Sequence, residues 1–197
     1  DIKTVFCGLR PLVRHNHKST AALSREHLIT VSESGLISIT GGKWTTYRKM
    51  AEDAIDVAIP KANLTPAKSK TNELHIHGYR TNVDFNSPLY YYGSDKEFVH
   101  QLTEENSEWA EKINQNLPYI KAEIIWAIRH EMCMTIEDLL ARRTRMLFLD
   151  AKASIEAAPL VAGIMAKEMG KNEAWIQQQV DDYIMMAKNY LPASKQT

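Results

Sequence analysis

The carboxyl-terminal half of the chain carries apolar side chains at helical spacing, and it contains no run that predicts a strand. Spacings of three and four residues place side chains on the same face of a helix. One such stripe in the last segment consists of Ile176, Val180, Tyr183, Ala187 and Tyr190. Residues 94–197 are therefore predicted to form an all-helical domain of roughly five or six helices, and the predicted fold class is mainly α.

Capping and breaking residues divide this helical region. Glycine suits the position just after a helix, so Gly170 is predicted to end one helix and the final helix is predicted over about 172–189. Asp150 and Pro159 are predicted to divide one long helical stretch into two. Two capping boxes, each a hydroxyl residue followed three positions later by an acidic one, are predicted from the pairs Ser94 with Glu97 and Thr135 with Asp138.

The amino-terminal region has a different pattern. Two β-rich runs, 28–31 and 35–39, are separated by a Ser-Glu-Ser-Gly sequence and predict a hairpin. After Gly41 and Gly42 the apolar residues recur at spacings of three and four, which predicts a helix over about 44–59. A short hairpin followed by a strand-to-helix turn is therefore expected to precede the helical domain.

Prolines and glycines are frequent between these two regions, so residues 61–93 are predicted to be a linker and irregular segment. The predicted domains are residues 1–60, this linker, and residues 94–197. The chain begins with Asp1 in place of Met and opens in a strand-like run, which we interpret as a sign that it is part of a longer protein.

Composition excludes some classes of function. Lys plus Arg (24) equals Asp plus Glu (24), so no overall field favours nucleic acid as a partner. Cys7 and Cys133 match no disulfide framework, which fits a reducing compartment, and the predicted location is cytoplasmic. No apolar run of about 18 residues is present, so no membrane-spanning helix is predicted.

The sequence Gly41-Gly42-Lys43 stands where the predicted strand passes into the predicted helix. The start of a helix presents free amide donors and the positive end of the helix dipole, and glycine allows close approach of a ligand. A phosphate, a carboxylate or an electron-rich heterocycle is a suitable ligand for such a turn. A turn with a purely structural role has the same spacing, and neither the GxGxxG fingerprint nor a P-loop is present.

Four motifs carry a resemblance to a known family: residues 8–12 (GLRPL), 24–27 (SREH), 39–52 (ITGGKWTTYRKMAE) and 134–145 (MTIEDLLARRTR). In this order they closely resemble consecutive motifs of FAD-dependent glycerol-3-phosphate dehydrogenases. The resemblance extends over nearly the whole chain. It implies the carboxyl-terminal part of such an enzyme, preceded in the family by the portion that holds the GxGxxG fold for the ADP half of FAD.

The resemblance implies roles for the residues of the glycine turn. The turn would lie against the pyrimidine edge of the isoalloxazine ring, with its amides stabilising negative charge there. Lys43 is assigned a catalytic role, because it would add a positive charge near the ring or the substrate. The cofactor-binding residues implied in this way are Thr40, Gly41, Gly42, Lys43, Thr45 and Thr46.

The resemblance also implies a phosphate site made by Arg10 and Arg25. A phosphate monoester suits the planar fork of arginine, which offers two parallel donors. Binding energy from the phosphate would orient the C2 hydrogen of the substrate toward the flavin. The base that accepts the hydroxyl proton is not identified in this sequence.

By this resemblance, the full-length enzyme would oxidise sn-glycerol 3-phosphate to dihydroxyacetone phosphate by hydride transfer to FAD, with quinone or oxygen as the electron acceptor. The chain alone is predicted to be inactive and not to retain FAD, because most of the cofactor contacts would be missing. A homodimer and peripheral contact with the cytoplasmic membrane stay open. Two alternatives are a non-catalytic helical interaction module and part of another flavin-dependent oxidase.

Other clusters are given structural interpretations. His75 and His77 together with His130 and Cys133 lack a recognised ligand spacing, so no metal site is predicted. The basic cluster Arg142, Arg143 and Arg145 is expected to pair with neighbouring acidic residues. Three tryptophans in helical patterns are predicted to pack in the core or between helices: Trp109, Trp126 and Trp175.

Overall fold

The computed structural model describes residues 2–9 and 27–192, which form two compact units. One unit contains residues 8–9 and 27–76. The other contains residues 2–7 and 77–192. Helices predominate and one short antiparallel sheet precedes the multi-helix domain, so the predicted mainly α fold is confirmed.

The first unit begins with a two-stranded antiparallel hairpin, as predicted. Strand β1 (His27–Val31) pairs with β2 (Ile37–Gly41). His27 at the start of β1 lies opposite Gly41 at the end of β2. The Gly35 amide donates to the Ser32 carbonyl at 2.9 Å and closes the turn. Gly35 has φ +84°, a conformation that side chains disfavour, which explains glycine at this position.

Helix α1 (Tyr47–Lys61) follows β2 through a single 3₁₀ turn, Trp44–Thr46. The predicted helix over 44–59 is thus present, with a tighter first turn and an end two residues later. Pro60 lies in the last turn of α1. His27 Nε2 lies 2.9 Å from the Asp53 carboxylate and joins β1 to α1.

Helices form most of the second unit. Its α-helices are α2 (Lys96–Glu105), α3 (Lys121–His130), α4 (Met146–Leu149), α5 (Ala151–Met169) and α6 (Glu173–Ala187). A π-helical segment, Asp138–Arg143, precedes α4. The main core is made by α3, α5, α6 and the π-helical segment, and its fully buried side chains include Ile124, Leu140, Val161 and Met165. Burial of these apolar surfaces is the main stabilising contribution to this unit.

Helix α5 starts where predicted but is not divided. The Asp150 carboxylate accepts the Ala153 amide at 3.1 Å and caps the helix, so this boundary is confirmed. The predicted break at Pro159 is wrong, because α5 continues through it to Met169. Pro159 lies on the exposed face, while Ala158 and Val161 are fully buried. Tertiary packing of the buried face outweighs the hydrogen bond that proline removes.

One of the two predicted capping boxes forms. The Thr135 amide donates to the Asp138 carboxylate at 3.0 Å, and the Asp138 amide donates to the Thr135 hydroxyl at 3.1 Å. The box predicted from Ser94 and Glu97 is wrong. Helix α2 begins one residue later, and the Glu97 carboxylate binds the Arg80 guanidinium at 2.8 Å.

The predicted end of α5 and start of α6 are confirmed. Gly170 has φ +64° and its amide donates to the Ala166 carbonyl, which satisfies an otherwise free acceptor of the last turn. The Asn172 side chain accepts the Trp175 amide at 3.0 Å and caps α6.

Residues 2–7 contact the helical unit. The Thr4 hydroxyl donates to the Leu147 carbonyl at 3.0 Å and accepts the Ala151 amide at 2.8 Å. The Val5 amide donates to the Tyr190 carbonyl at 2.9 Å. This segment therefore satisfies backbone groups on both sides of the helical core, although residues 8–76 separate it from that unit in sequence.

Candidate functional site

The glycine turn is a strand-to-helix connection that only glycine fits without strain. Gly41 has φ +74° and Gly42 has φ +79°. A Cβ atom at Gly42 would overlap the Met50 thioether, whose Cε would lie only 2.7 Å away. The backbone thus turns sharply at the end of β2, and α1 packs closely behind the turn.

The turn uses part of its hydrogen-bonding capacity internally. The Lys43 amide donates to the Thr46 hydroxyl at 3.2 Å, and that hydroxyl donates to the Lys43 carbonyl at 3.0 Å. Within residues 27–76, the amides of Trp44 and Thr45 have no hydrogen-bond acceptor. Among the described residues, the turn therefore leaves two amides without an acceptor near the positive end of the helix dipole.

An aromatic pair stands beside these amides. Trp44 is 85% exposed and its ring stacks on that of Tyr47 with centroids 5.5 Å apart. Lys43 is also exposed. A ligand at this turn would therefore meet amide donors, a lysine charge and a flat apolar face. The sequence analysis missed the aromatic pair, although two aromatic residues three apart at a helix start are a usable signal.

Ion pairs anchor the helix behind the turn. The Lys49 ammonium lies 2.6 Å from the Asp53 carboxylate, which also contacts His27. The hydrogen bond from Lys49 holds the pKa of Asp53 below its usual value, and the bond from His27 acts in the same direction. The same Asp53 bond raises the pKa of Lys49. Asp53 is therefore an ionised link between β1 and α1.

The structure brings together one group of the sequence-predicted site residues. Thr40 is an exposed residue near the end of β2. The others follow it along the chain, through the turn: Gly41, Gly42, Lys43, Thr45 and Thr46. Arg10 and Arg25 lie outside the described residues.

The helical unit contains a buried carboxylate that the sequence analysis did not single out. Glu123 is 1% exposed, and its Oε1 accepts the Tyr91 hydroxyl at 2.6 Å and the Tyr92 hydroxyl at 3.2 Å. Its Oε2 accepts the Ile120 amide at 2.7 Å. Burial raises the pKa of Glu123, and the hydrogen bonds from Tyr91, Ile120 and Tyr92 oppose that rise only in part.

The residues considered for a metal site have other contacts. His77 Nε2 lies 2.6 Å from the Asp95 carboxylate. Cys133 is buried in the core, and burial raises the pKa of its thiol to about 12. Among the described residues, no group of three or more His, Cys, Asp or Glu side chains has the geometry to hold a metal ion.

The tryptophans and two of the three clustered arginines have the structural contacts that were predicted, whereas Arg145, among the described residues, lies over the Phe148 ring at 6.0 Å in place of an acidic partner. Arg142 binds Glu137 at 2.6 Å and Asp138 at 3.1 Å, and Arg143 lies 3.5 Å from Asp138. All three tryptophans pack in or against the apolar cores of the helical unit: Trp109, Trp126 and Trp175. Both sets therefore stabilise the helical unit.

Comparison with known proteins identifies a related domain and related enzymes. A sequence model of the family described as "C-terminal domain of alpha-glycerophosphate oxidase" matches residues 37–176. The chain is 33% identical to the mitochondrial glycerol-3-phosphate dehydrogenase of Homo sapiens, over 92% of this chain. It is 35% identical to a probable mitochondrial glycerol-3-phosphate dehydrogenase of Dictyostelium discoideum, over 97% of this chain.

The match covers only part of these relatives. The chain spans 28% of the human protein and 33% of the Dictyostelium protein. Both relatives are named as mitochondrial, so they do not support the predicted cytoplasmic location. In the part of the chain that the structure describes, no helix combines the length and the apolar character needed to cross a membrane.

Proposed function

Because the chain belongs to the family of the C-terminal domain of alpha-glycerophosphate oxidase, we propose that it forms the carboxyl-terminal part of a flavoenzyme. The proposed reaction is oxidation of sn-glycerol 3-phosphate to dihydroxyacetone phosphate. Bound FAD would supply the hydride acceptor, and a quinone or oxygen would then receive the electrons. The division into residues 1–60, 61–93 and 94–197 stays a prediction about how this part is organised.

The observation that carries this proposal is the geometry of the glycine turn. Two consecutive glycines with positive φ come directly before a helical turn. In this turn the amides of Trp44 and Thr45 have no acceptor among the described residues. Backbone donors held by a helix cost no reorganisation when negative charge develops in front of them. A purely structural turn needs the glycines but not the free, exposed amides.

The donor set of the turn fits the pyrimidine edge of an isoalloxazine ring. That edge carries carbonyl acceptors, which suit amide N–H groups, and it gains negative charge on reduction. Thr40, Gly41 and Gly42 would provide the close backbone approach, and Thr45 would add a donor. The Thr46 hydroxyl, already bonded to Lys43, would hold the turn in shape.

Lys43 and two arginines complete the proposed site. Lys43 is exposed at the turn and would place a positive charge beside the ring or the substrate. Arg10 and Arg25 would bind the substrate phosphate through paired N–H donors. Phosphate binding remote from the reacting carbon would orient the C2 hydrogen without taking part in the chemistry.

The test is a chimera in which this chain replaces the matching 33% of the Dictyostelium relative. We expect a yellow protein whose absorbance bleaches on addition of glycerol 3-phosphate, whereas the chain alone should stay colourless and inactive. Bleaching by another alcohol or an amine, but not by glycerol 3-phosphate, would favour the alternative of a different flavin-dependent oxidase. A folded chimera that stays colourless would favour a non-catalytic interaction module.

Two variants of the chimera separate the proposed roles. Arg25→Ala should raise KM for glycerol 3-phosphate by about a hundredfold, because a charge-assisted bidentate contact is worth about 3 kcal/mol. Lys43→Met should chiefly lower kcat, because its charge would act as the reaction proceeds. Lys61→Met removes an exposed positive charge from the far end of α1, so it is the control and should leave both constants within about twofold. An unchanged KM in Arg25→Ala would remove Arg25 from the phosphate site.

A further inference from the structure

A pocket opens on the helical unit between α2 and α3, and none of its lining residues is one assigned to flavin or glycerol 3-phosphate. Its volume is about 490 Å³, which lies within the range of small-ligand sites. Leu102 and Trp126 are nearly buried and form its apolar floor. Its other main lining groups are Asp95, Phe98, Glu105, Arg129 and His130.

Aromatic rings form one wall of this pocket. The Phe98 and Trp126 rings are parallel within 3°, with centroids 6.3 Å apart, and His130 stacks on Trp126 at 4.1 Å. Phe98 is still 55% exposed although it belongs to this stack. The pocket therefore presents a flat π surface of the kind that attracts planar cations.

Carboxylates give the lining of the pocket a negative charge. Glu105 lines the pocket with a side chain that is 59% exposed, and its distance to the Arg129 guanidinium is 3.8 Å. Arg129 is already engaged by Glu168, which lies 2.6 Å from its Nε, and the guanidinium lies over the Trp109 ring at 5.5 Å. The Glu168 bond raises the pKa of Arg129, and the negative charge of Glu168 balances the positive charge of the guanidinium, so Glu105 is left weakly compensated.

A second carboxylate lies deeper in the pocket. The Asp95 side chain is 13% exposed, and its single ion-pair partner within the helical unit is His77, which is 87% exposed. With the histidines counted as neutral, the lining carries two negative charges, on Asp95 and Glu105, and one positive charge, on Arg129. Including Glu168, carboxylates outnumber guanidinium groups by three to one.

From this juxtaposition of an open aromatic face and weakly compensated carboxylates, we propose that the pocket binds a small organic guanidinium cation. A guanidinium group is planar, so it can stack on the Phe98 ring. It also carries N–H donors at its edge, which can pair with the Glu105 carboxylate. An anion would be repelled, and a neutral apolar ligand would leave the carboxylates without new partners. This site is independent of the proposed oxidation.

Calorimetric titration of the 197-residue chain with agmatine tests the proposal. We expect saturable binding with a Kd in the range of about 0.1 to 1 mM, since one cation–π contact and one or two ion pairs are formed at a half-exposed site. N-(4-aminobutyl)urea keeps the butyl chain, the ammonium group and a planar head but lacks the guanidinium charge, and it should bind at least about tenfold more weakly. Equal affinity for the two probes would overturn the proposal.

Three variants localise the binding. Glu105→Gln should weaken agmatine binding about fivefold, and Phe98→Leu, which keeps apolar bulk without a ring, should weaken it by a similar factor. Glu104→Gln removes the same charge from the neighbouring exposed position of α2, which is not a lining residue, and should change Kd by less than about twofold. Absence of saturable heat with agmatine, or identical affinity in Glu105→Gln, would refute the site.

Discussion

At the scale of single residues, Gly42 connects local backbone geometry to the proposed function. Its positive φ and its closeness to Met50 are separate reasons for glycine. The first reason is intrinsic to the backbone of any L-residue, whereas the second depends on how α1 packs behind the turn. Substitutions can therefore distinguish the two contributions.

Gly42→Ala should destabilise the hairpin and α1 by about 2 to 3 kcal/mol, because it adds strain at φ +79° and forces the end of the flexible Met50 side chain to shift. Hydrogen exchange of the β1 and β2 amides measures the loss. Gly35→Ala is the matched control, because Gly35 has φ +84° but open space around it, and it should cost only about 1 to 2 kcal/mol. Equal effects of the two substitutions would show that contact with Met50 is unimportant.

Glu123 is a second residue whose environment gives it a measurable property. Its folded-state pKa is raised, mainly by burial, above the ordinary value of 4.5. Between these two pKa values the folded protein holds more protons than the unfolded chain. The free energy of unfolding therefore falls as pH rises from the unfolded pKa through the folded pKa.

Glu123→Gln should remove this pH dependence, because glutamine keeps an acceptor for Tyr91 and Tyr92 without an ionisable group. Relative to the unchanged chain, the variant should lose more stability at about pH 4 than at about pH 8. Urea unfolding across this range gives the comparison, with the exposed Glu104→Gln as control. A difference in stability that is the same at both pH values would contradict the raised pKa.

At the scale of secondary-structure elements, α5 shows how packing overrides a local breaker. Proline has no N–H group and its ring crowds the carbonyl four residues earlier, which costs about 3 kcal/mol in a helix interior. Pro159 nevertheless lies within α5, on the face opposite buried Ala158 and Val161. The exposed position lets water reach the carbonyl that lacks a partner.

Pro159→Ala should therefore stabilise the helical unit. We expect a gain of about 1 to 3 kcal/mol, because alanine restores the missing hydrogen bond and has the best helix propensity. Part of the gain is offset because the unfolded chain becomes more flexible. The midpoint of urea unfolding should rise for Pro159→Ala, while Lys152→Ala, another exposed change on α5, should move it little. A lower midpoint for Pro159→Ala would mean that the ring makes a favourable contact.

At the scale of the whole molecule, the helical unit depends on a segment that is distant in sequence. The Thr4 hydroxyl joins the carbonyl of Leu147 to the amide of Ala151, across the junction of α4 and α5. Phe6 packs edge-on against Phe148 with ring centroids 5.2 Å apart. The Lys3 ammonium lies 2.8 Å from the Asp150 carboxylate that caps α5.

Removal of residues 1–7 should lower the stability of the helical unit by about 2 kcal/mol, since two to three buried or half-buried hydrogen bonds are lost. Exchange of the α5 amide hydrogens should then be about thirtyfold faster. Thr4→Val keeps the shape of the side chain but removes both Thr4 hydrogen bonds, and it should account for at least half of the effect. Unchanged exchange in the shortened chain would show that the segment is not part of this unit.

Periodicity and capping patterns predicted most elements of this fold, because they report on local backbone conformation. The β1–β2 hairpin, α1, the Thr135–Asp138 box and the limits of α6 all follow from interactions between residues close in sequence. The errors at Ser94 and Pro159 have a non-local cause. Arg80 draws Glu97 away from the helix start, and core packing carries α5 through its proline.

The candidate site was likewise predictable from the sequence only where its features are local. The order of residues from Thr40 to Thr46 specified a glycine turn at the start of a helix, because positive φ and the amides of a first turn are local properties. The sequence did not reveal that Thr46 uses the Lys43 amide, nor that Trp44 and Tyr47 stack beside the free amides. Those two contacts depend on the side-chain rotamers and on their exposure in the folded structure.

The sequence by itself determined the helical character of the second unit, the hairpin and the position of the glycine turn. These features depend on backbone preferences of residues that are close together in the sequence. Only the tertiary structure placed Thr4 against α5, bonded buried Glu123 to Tyr91 and Tyr92, and brought Phe98 of α2 against Trp126 of α3. These contacts join residues far apart along the chain. Their free energy comes from burial and from charge pairing in a shared environment, which no local pattern encodes.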